Sequence, residues 1–110
     1  MSPVEPAWER LEIDPRSATF PAAASVAGVP IWVFHLRDGF RGVQAMCPHE
    51  QRSLGEARLM GDGKMLRCSY HNYTFKLANG SGVNCPGFRI SVYQIKEEDG
   101  GLFAQPVPAS

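Results

Sequence analysis

The feature that most constrains this sequence is a pair of short motifs, Cys47-Pro48-His49 and Cys68-Ser69-Tyr70-His71, with eighteen residues between them. Each motif carries a thiol followed by an imidazole within one turn of chain. Thiolate and imidazole are the ligands that suit zinc or an iron–sulfur centre. If one centre takes all four side chains, the fold must bring two loops that are distant in sequence to one point.

Zinc is the alternative to an iron–sulfur centre. Zinc sites with two cysteines and two histidines usually pair C-x₂₋₄-C with H-x₃₋₅-H. Here each pair is mixed, and only one residue separates Cys47 from His49. A single cysteine is more often a small buried hydrophobe, but two ordered pairs are hard to explain in that way. The pattern therefore favours iron and sulfur, and the colour of the purified protein distinguishes the two because zinc proteins are colourless.

The remainder of the chain predicts an all-β fold. No segment of helical length has apolar residues at a 3.6-residue period, whereas short β-branched and aromatic runs alternate with turn-forming residues. The predicted strands lie at 8–13, 17–26 (interrupted at Pro21), 31–36, 40–46, 57–60, 64–67, 73–77, 90–96 and 102–105. Asp38-Gly39 predicts one hairpin, and the hairpin 57–67 would carry the second motif back beside the first. The tail from Pro106 is expected not to extend a sheet.

Length and charge limit the class of protein. One hundred and ten residues suit a single domain, 1–110. The formal net charge is zero, so no general attraction to nucleic acid or to an anionic membrane is expected. No apolar run approaches the ~20 residues that cross a bilayer, and the first ten residues lack the apolar core of a secretory signal. We expect a cytoplasmic monomer. If two of the three cysteines bind iron, only Cys85 remains, and a single thiol cannot form an internal disulfide, which fits a reducing compartment.

The segments 45–50 and 66–75 resemble the Rieske ferredoxin family. The resemblance implies a β-sandwich with a small cluster-binding subdomain at about 46–87. It also implies one [2Fe–2S] cluster per chain, with Cys47 and Cys68 on one iron and His49 and His71 on the other. Respiratory Rieske proteins carry an additional disulfide-forming cysteine in each loop. Other residues stand there in this chain, which is therefore more similar to the ferredoxins.

The same resemblance implies an electron carrier and not an enzyme. Segments 44–49 and 73–84 are most similar to ferredoxins of toluene- and alkene-type diiron monooxygenases, which imply an NADH-dependent flavoprotein reductase and a hydroxylase as partners. His35 is the only further histidine, whereas a mononuclear oxygenase iron needs two histidines and a carboxylate. The alternatives are a ferredoxin of a ring-hydroxylating dioxygenase, the small Rieske subunit of a nitrite reductase, and a zinc-stabilised interaction module.

Two further expectations concern the surroundings of the cluster. Cys85-Pro86-Gly87 is similar to the third, proline-containing loop that shields the cluster in this family, and Cys85 itself is expected only to pack. High-potential members have a serine and a tyrosine where this chain has Tyr73 and Phe75. We therefore expect a potential nearer to about −150 mV than to about +300 mV, which the double substitution Tyr73→Ser and Phe75→Tyr should raise.

Overall fold

The computed structural model describes residues 8–47, 53–61, 63–68, 72–85 and 87–107. The strands among them confirm the all-β prediction. They are β1 (Glu9–Arg10), β2 (Ala22–Val26), β3 (Val29–Leu36), β4 (Gly39–Gln44), β5 (Arg58–Met60), β6 (Met65–Arg67), β7 (Thr74–Lys76), β8 (Val92–Glu98) and β9 (Gly101–Pro106). One short 3₁₀ helix, Leu54–Glu56, precedes β5. No helix among the described residues has the length and apolar character needed to span a membrane.

These strands form two antiparallel sheets within the described ranges. The larger sheet has six strands in the order β1-β9-β8-β4-β3-β2, and the smaller has three in the order β5-β6-β7. The hairpin predicted at 57–67 is confirmed, since Arg58 pairs with Arg67 and Met60 with Met65. Both motif cysteines lie just after strands, Cys47 after β4 of the larger sheet and Cys68 after β6 of the smaller sheet. Each sheet therefore positions one of the two cysteines.

Strand β3 buries side chains on both faces of the larger sheet. Ile31 and Val33 pack into one hydrophobic core, while Phe34 packs into another. A strand that is covered on both sides has a nearly continuous apolar sequence instead of an alternating one, as 31–34 has. We call the layer that contains Phe34 the first core and the layer that contains Ile31 the second core.

The first core contains residues from both sheets, whereas the second core is built from the larger sheet and the segment that enters it. The first core consists of Phe34, Val43, Cys47, Leu54, Leu66, Cys68, Phe75, Leu77, Cys85, Ile90 and Val92. The second core consists of Leu11, Ile13, Ala22, Val26, Ile31, Val33, Tyr93, Leu102 and Ala104. The larger sheet therefore curls around one core and uses its other face to hold the smaller sheet.

Two-residue turns set the register of the larger sheet. Val26 pairs with Val29 and Glu98 with Gly101, which leaves Ala27-Gly28 and Asp99-Gly100 as the turns. All four turn residues have positive φ, from 51° at Ala27 to 80° at Gly28. This is the type I′ geometry, whose twist matches that of the strands it joins. Both turns lie between strands that the sequence predicts.

Some predicted bounds are wrong. In 17–26 only Ala22–Val26 is a strand, because the carboxylate and carbonyl of Asp14 accept hydrogen bonds from the N–H groups of 16–18 and form a turn. In 8–13 only Glu9–Arg10 is a strand, although Leu11 still donates to Leu102 O at 2.8 Å.

Two more differences lie at the strand ends. Leu36 pairs with Gly39, so the β3–β4 turn is Arg37-Asp38, one residue earlier than predicted. Pro106 closes β9 opposite Tyr93, contrary to the expectation that the tail would leave the sheet at Pro106. The chain continues beside β8 beyond this point, since the N–H of Val107 donates to Val92 O at 3.0 Å. A proline is accommodated where its nitrogen is not needed as a ladder donor.

Candidate metal centre

The first motif follows β4 and begins in a tightly held segment. Cys47 is 1% exposed and belongs to the first core. An isolated bridge pairs Met46 with Ser53, and the N–H of Leu54 donates to Ala45 O at 2.7 Å. These contacts close the chain on itself between 46 and 53. The loop that begins at Cys47 therefore starts and ends at one place.

Gln44 fixes the entry to this loop. Its side-chain amide donates to Met46 O at 2.7 Å, and its side-chain oxygen accepts from the N–H of Ser91 at 2.7 Å. The backbone N–H of Gln44 also donates to Ser91 O at 2.9 Å. Gln44 thus ties the chain on both sides of Ala45 to the segment before β8.

Ser53 fixes the exit from the same loop. Its hydroxyl accepts the N–H of Gly55 at 3.2 Å and so caps the 3₁₀ helix. The same oxygen accepts the indole N–H of Trp32 at 3.1 Å. A serine in an extended conformation before a helical turn is the usual N-cap, but the contact with Trp32 joins residues 21 positions apart and has no signature in the sequence.

The second motif follows β6 in a similar way. Cys68 is 4% exposed and comes two residues after the fully buried Leu66. The N–H of Cys68 donates to Tyr73 O at 2.7 Å, which closes the loop between these two residues. Asn72 has a φ of 58°, a left-handed conformation that asparagine tolerates better than most residues. The chain can therefore reverse and enter β7.

Asn84 joins the second loop to the third. Its side-chain oxygen accepts the N–H of Thr74 at 2.9 Å, and its amide donates to Asn72 O at 3.0 Å. Val83 N–H adds a backbone bond to Thr74 O at 2.8 Å. The segment expected to shield the cluster is thus attached to the loop that follows Cys68.

The third loop also needs a close approach of backbone. A Cβ on Gly82 would lie 2.7 Å from Cys85 O and 2.8 Å from Cys85 Sγ. Such separations are far below van der Waals contact, so any side chain at this position would displace the loop. Cys85 is buried in the first core, and its Sγ lies 3.8 Å from Thr74 O. This agrees with the packing role expected for Cys85.

The structure brings Cys47 and Cys68 into the same core, although twenty residues separate them in sequence. Neither forms a disulfide. His49 and His71 lie outside the described residues. Among the described residues no three metal-ligating side chains form a group. Two buried thiols at the mouths of two closed loops fit the sulfur side of a cluster, since thiolates are the protein ligands of iron–sulfur iron.

His35 lies apart from this site. Its side chain is exposed, and its ring stacks on Phe40 at 4.6 Å with Phe20 at 5.4 Å. This aromatic contact agrees with the structural role expected from the sequence. Sequence reasoning did not single out Gln44, Ser53 or Asn84, whose bonds fix the three loops. Gln44 and Asn84 lie at the ends of the segments 44–49 and 73–84 that carry the resemblance, but nothing there indicated their hydrogen bonds.

A family model, the Rieske [2Fe-2S] domain, matches residues 8–94 of this chain. The ferredoxin component of the alkene monooxygenase system of Xanthobacter autotrophicus is 31% identical over 77 residues, which are 68% of this chain and 57% of that protein. The chain thus spans little more than half the length of this relative. Ferredoxin CarAc of Metapseudomonas resinovorans is 24% identical over 91 residues, which are 82% of this chain and 83% of that protein.

A solved structure extends the likeness in fold. The crystal structure of a protein described as the small subunit of NADPH nitrite reductase superposes with a TM-score of 0.76 at 14% identity, covering 89% of this chain and 97% of that one. At this identity the likeness concerns the fold alone. It covers most of both chains.

Proposed function

The chain belongs to the Rieske [2Fe–2S] domain family, whose cofactor is a [2Fe–2S] cluster, and from this premise we propose that it is a one-electron carrier. Cys47 and Cys68 would bind one iron, and His49 and His71 the other. The cluster-binding part would span about 46–87 within a single domain, 1–110. When bound, the cluster accepts and releases one electron; the loops hold it, limit access of water and present it to partners.

The observation that carries the site is the convergence of the two buried cysteines. Each thiol stands where a strand ends, and a backbone bond closes each loop: Leu54 to Ala45 at 2.7 Å and Cys68 to Tyr73 at 2.7 Å. Burial in an apolar core leaves the sulfur ligands shielded from water. Ligands held in this way need little rearrangement when the cluster gains or loses charge, which favours rapid electron transfer.

The relatives support the carrier role. Two of them are ferredoxins, and one of these belongs to an alkene monooxygenase system. We therefore propose that this chain carries electrons from an NADH-dependent flavoprotein reductase to the hydroxylase of a multicomponent monooxygenase, as a cytoplasmic monomer that is not itself an enzyme. The thiols, none of which forms a disulfide, agree with a reducing compartment.

Exposed apolar side chains on the loops suggest the docking face. Met46 is 45% exposed beside Cys47, and Val83 and Phe88 are 49% and 37% exposed on either side of the third loop. The ring of Phe88 contacts that of Tyr73 at 5.7 Å, which joins the second and third loops. Large apolar residues in the open around a buried redox site favour transient contact with a partner protein.

Reconstitution tests the function. The protein is mixed with a flavoprotein reductase, NADH and an alkene or aromatic monooxygenase hydroxylase, and product is measured with and without it. We expect product only when the chain is present with its cluster. Replacing Phe88 by Ala should slow transfer, while Leu59→Ala, which removes another exposed apolar side chain on β5, should not. Product at the same rate without the chain would contradict the proposal.

The alternative, a small subunit of a nitrite reductase, differs from a carrier in its state in the cell. A permanent subunit co-purifies with its catalytic chain, whereas a carrier is recovered free. We expect affinity-purified protein from the native host to run as a single chain in size-exclusion chromatography. Recovery in a fixed complex with a larger reductase subunit would favour the alternative.

A further inference from the structure

We infer a binding site for a small amphipathic organic anion, an apolar body with a carboxylate, at the end of the molecule away from the cysteine loops. The site is a groove of about 700 Å³ between the β3–β4 turn, the β5–β6 turn and the end of β7. We call it the distal groove. Its volume is that of a small-molecule pocket, and such pockets are mostly apolar with a few polar groups that orient the ligand.

Topology separates the distal groove from the metal centre. Arg41 of β4 lines the groove, and Cys47 comes six residues later. Since an extended chain advances ~3.3 Å per residue, the two are up to ~20 Å apart. On the smaller sheet the separation is shorter: Met65 lines the groove at the start of β6, and Cys68 follows the other end of that strand, up to ~10 Å away. A ligand in this groove would not touch the cluster.

The floor of the groove is apolar. Leu36, Met65 and Leu77 line it, and Leu77 is only 2% exposed because it also belongs to the first core. The groove is therefore the open end of the layer between the two sheets. An aromatic or branched hydrocarbon body would complete this layer and displace water from it.

The rim of the groove is cationic. Four basic side chains line it, while Asp38 is the only acidic one among the described lining residues; the four are Arg37, Arg41, Lys64 and Lys76. The whole chain has no formal net charge, so this concentration is local. In the part of the chain that the structure describes, none of these four side chains has a hydrogen bond or an ion pair.

Arg41 is the decisive member of this rim. It shares a strand face with Val43 of the first core, and it stands opposite Phe34 in the β3–β4 ladder. Its guanidinium is half-buried, and burial lowers its pKa, although an arginine stays charged at neutral pH. A partly desolvated cation without a partner favours an anion. A carboxylate suits it in particular, because the guanidinium offers two parallel N–H donors.

An NMR titration of the cluster-loaded protein tests the site, using 2-naphthoate and its neutral counterpart 2-naphthalenemethanol as probes. We expect saturable shifts confined to 36–41, 63–65 and 76–78, with naphthoate about tenfold tighter than the alcohol, as for the loss of one charge-assisted hydrogen bond. Absent saturation, equal affinity of the two probes, or shifts centred elsewhere would overturn the inference.

Substitutions sharpen the test. Arg41→Gln should weaken naphthoate about tenfold and leave the alcohol unchanged, and the exposed Lys64→Gln provides a second variant should Arg41→Gln fail to fold. Arg58→Gln removes a charge from the same smaller sheet outside the groove and should change neither affinity. Unchanged naphthoate binding in both groove variants would contradict the proposal. Binding of a hexaglutamate peptide to the groove, without binding of naphthoate, would also contradict it, since this would indicate an acidic protein partner.

Discussion

The first and second cores lie on opposite faces of the same six-stranded sheet and differ in what they bury. The first core holds all three cysteines and reaches the three loops of the metal centre. The second core holds none and is built from β2, β3, β8, β9 and the segment that follows β1. The two faces of this sheet therefore differ: one only maintains the fold, and the other also packs against the cysteines that are proposed as cluster ligands. Equal losses of packing on the two faces should have unequal effects on the cluster.

The largest effect is expected from a matched pair of core deletions. Leu66 in the first core and Leu102 in the second are both 0% exposed. Replacing either by Ala should lower the free energy of unfolding by ~2–5 kcal/mol, from lost burial and the cavity left behind. Denaturant unfolding measures this. Only Leu66→Ala, two residues before Cys68, should accelerate iron loss to a chelator. Equal iron loss in both variants would break the comparison.

A smaller effect is expected from Gly82→Ala. The added Cβ meets the backbone and thiol of Cys85, and overpacking of this kind costs ~1–3 kcal/mol. The visible absorption of the cluster should change because the third loop is displaced. Gly100→Ala is the control: its φ is 75° with no atom within 4 Å of the new Cβ. It should cost ~1–2 kcal/mol through conformation alone and leave the spectrum intact; a spectral change there would contradict the assignment.

Asn84→Ala sharpens the comparison within the loops. It removes two hydrogen bonds between the second and third loops, each worth ~0.5–1.5 kcal/mol and at the lower end here because Asn84 is exposed. Iron release should be faster while the unfolding midpoint changes little. Asn79→Ala also removes two bonds, from the N–H of Ser81 at 3.0 Å and from its hydroxyl at 2.9 Å, in the turn after β7. If that variant released iron equally fast, the clamp by Asn84 would have no special role.

The smallest effect is expected from Glu98→Gln, at the end of β8 opposite to the one where Ser91 bonds to Gln44. Glu98 pairs with Lys96 at 3.3 Å, and both side chains are exposed. Exposed pairs of this kind contribute ~0–1 kcal/mol. Thermal unfolding should shift slightly at low salt and not at high salt, with no change in the redox potential. A shift in potential would mean that charges at this distance influence the cluster.

Local signals in the sequence predicted the strands and most turns. Asp99-Gly100 has the residues that type I′ turns favour, and Ala27-Gly28 has the glycine at the second turn position. The apolar run at 31–34 belongs to a strand that is buried on both faces. The predicted strand at 17–26 begins too early because Asp14 starts a turn in which its side chain and its carbonyl accept backbone N–H groups. The strand order β1-β9-β8-β4-β3-β2 joins the two chain ends, and no local pattern encodes it.

In the candidate metal centre, too, some residues were predictable from local sequence and others were not. The two motifs predict Cys47 and Cys68 as ligands directly, since ligands must have the right chemistry. The residues that hold the loops are different: Gln44 bonds to Ser91, 47 positions away, and Trp32 to Ser53, 21 positions away. Polar side chains of this kind are common in loops, so only the folded arrangement distinguishes them from their neighbours.

The central claim is that Cys47 and Cys68 bind one iron while His49 and His71 bind the other. Pulsed electron paramagnetic resonance of the dithionite-reduced protein tests it most directly, with ¹⁵N-labelled histidine to identify the coupled nuclei. We predict hyperfine coupling to two imidazole nitrogens, unchanged in His35→Gln and lost together with the native signal when His49 and His71 are both replaced by Ala. A [2Fe–2S] signal without histidine coupling, or one that persists in the double variant, would contradict the assignment.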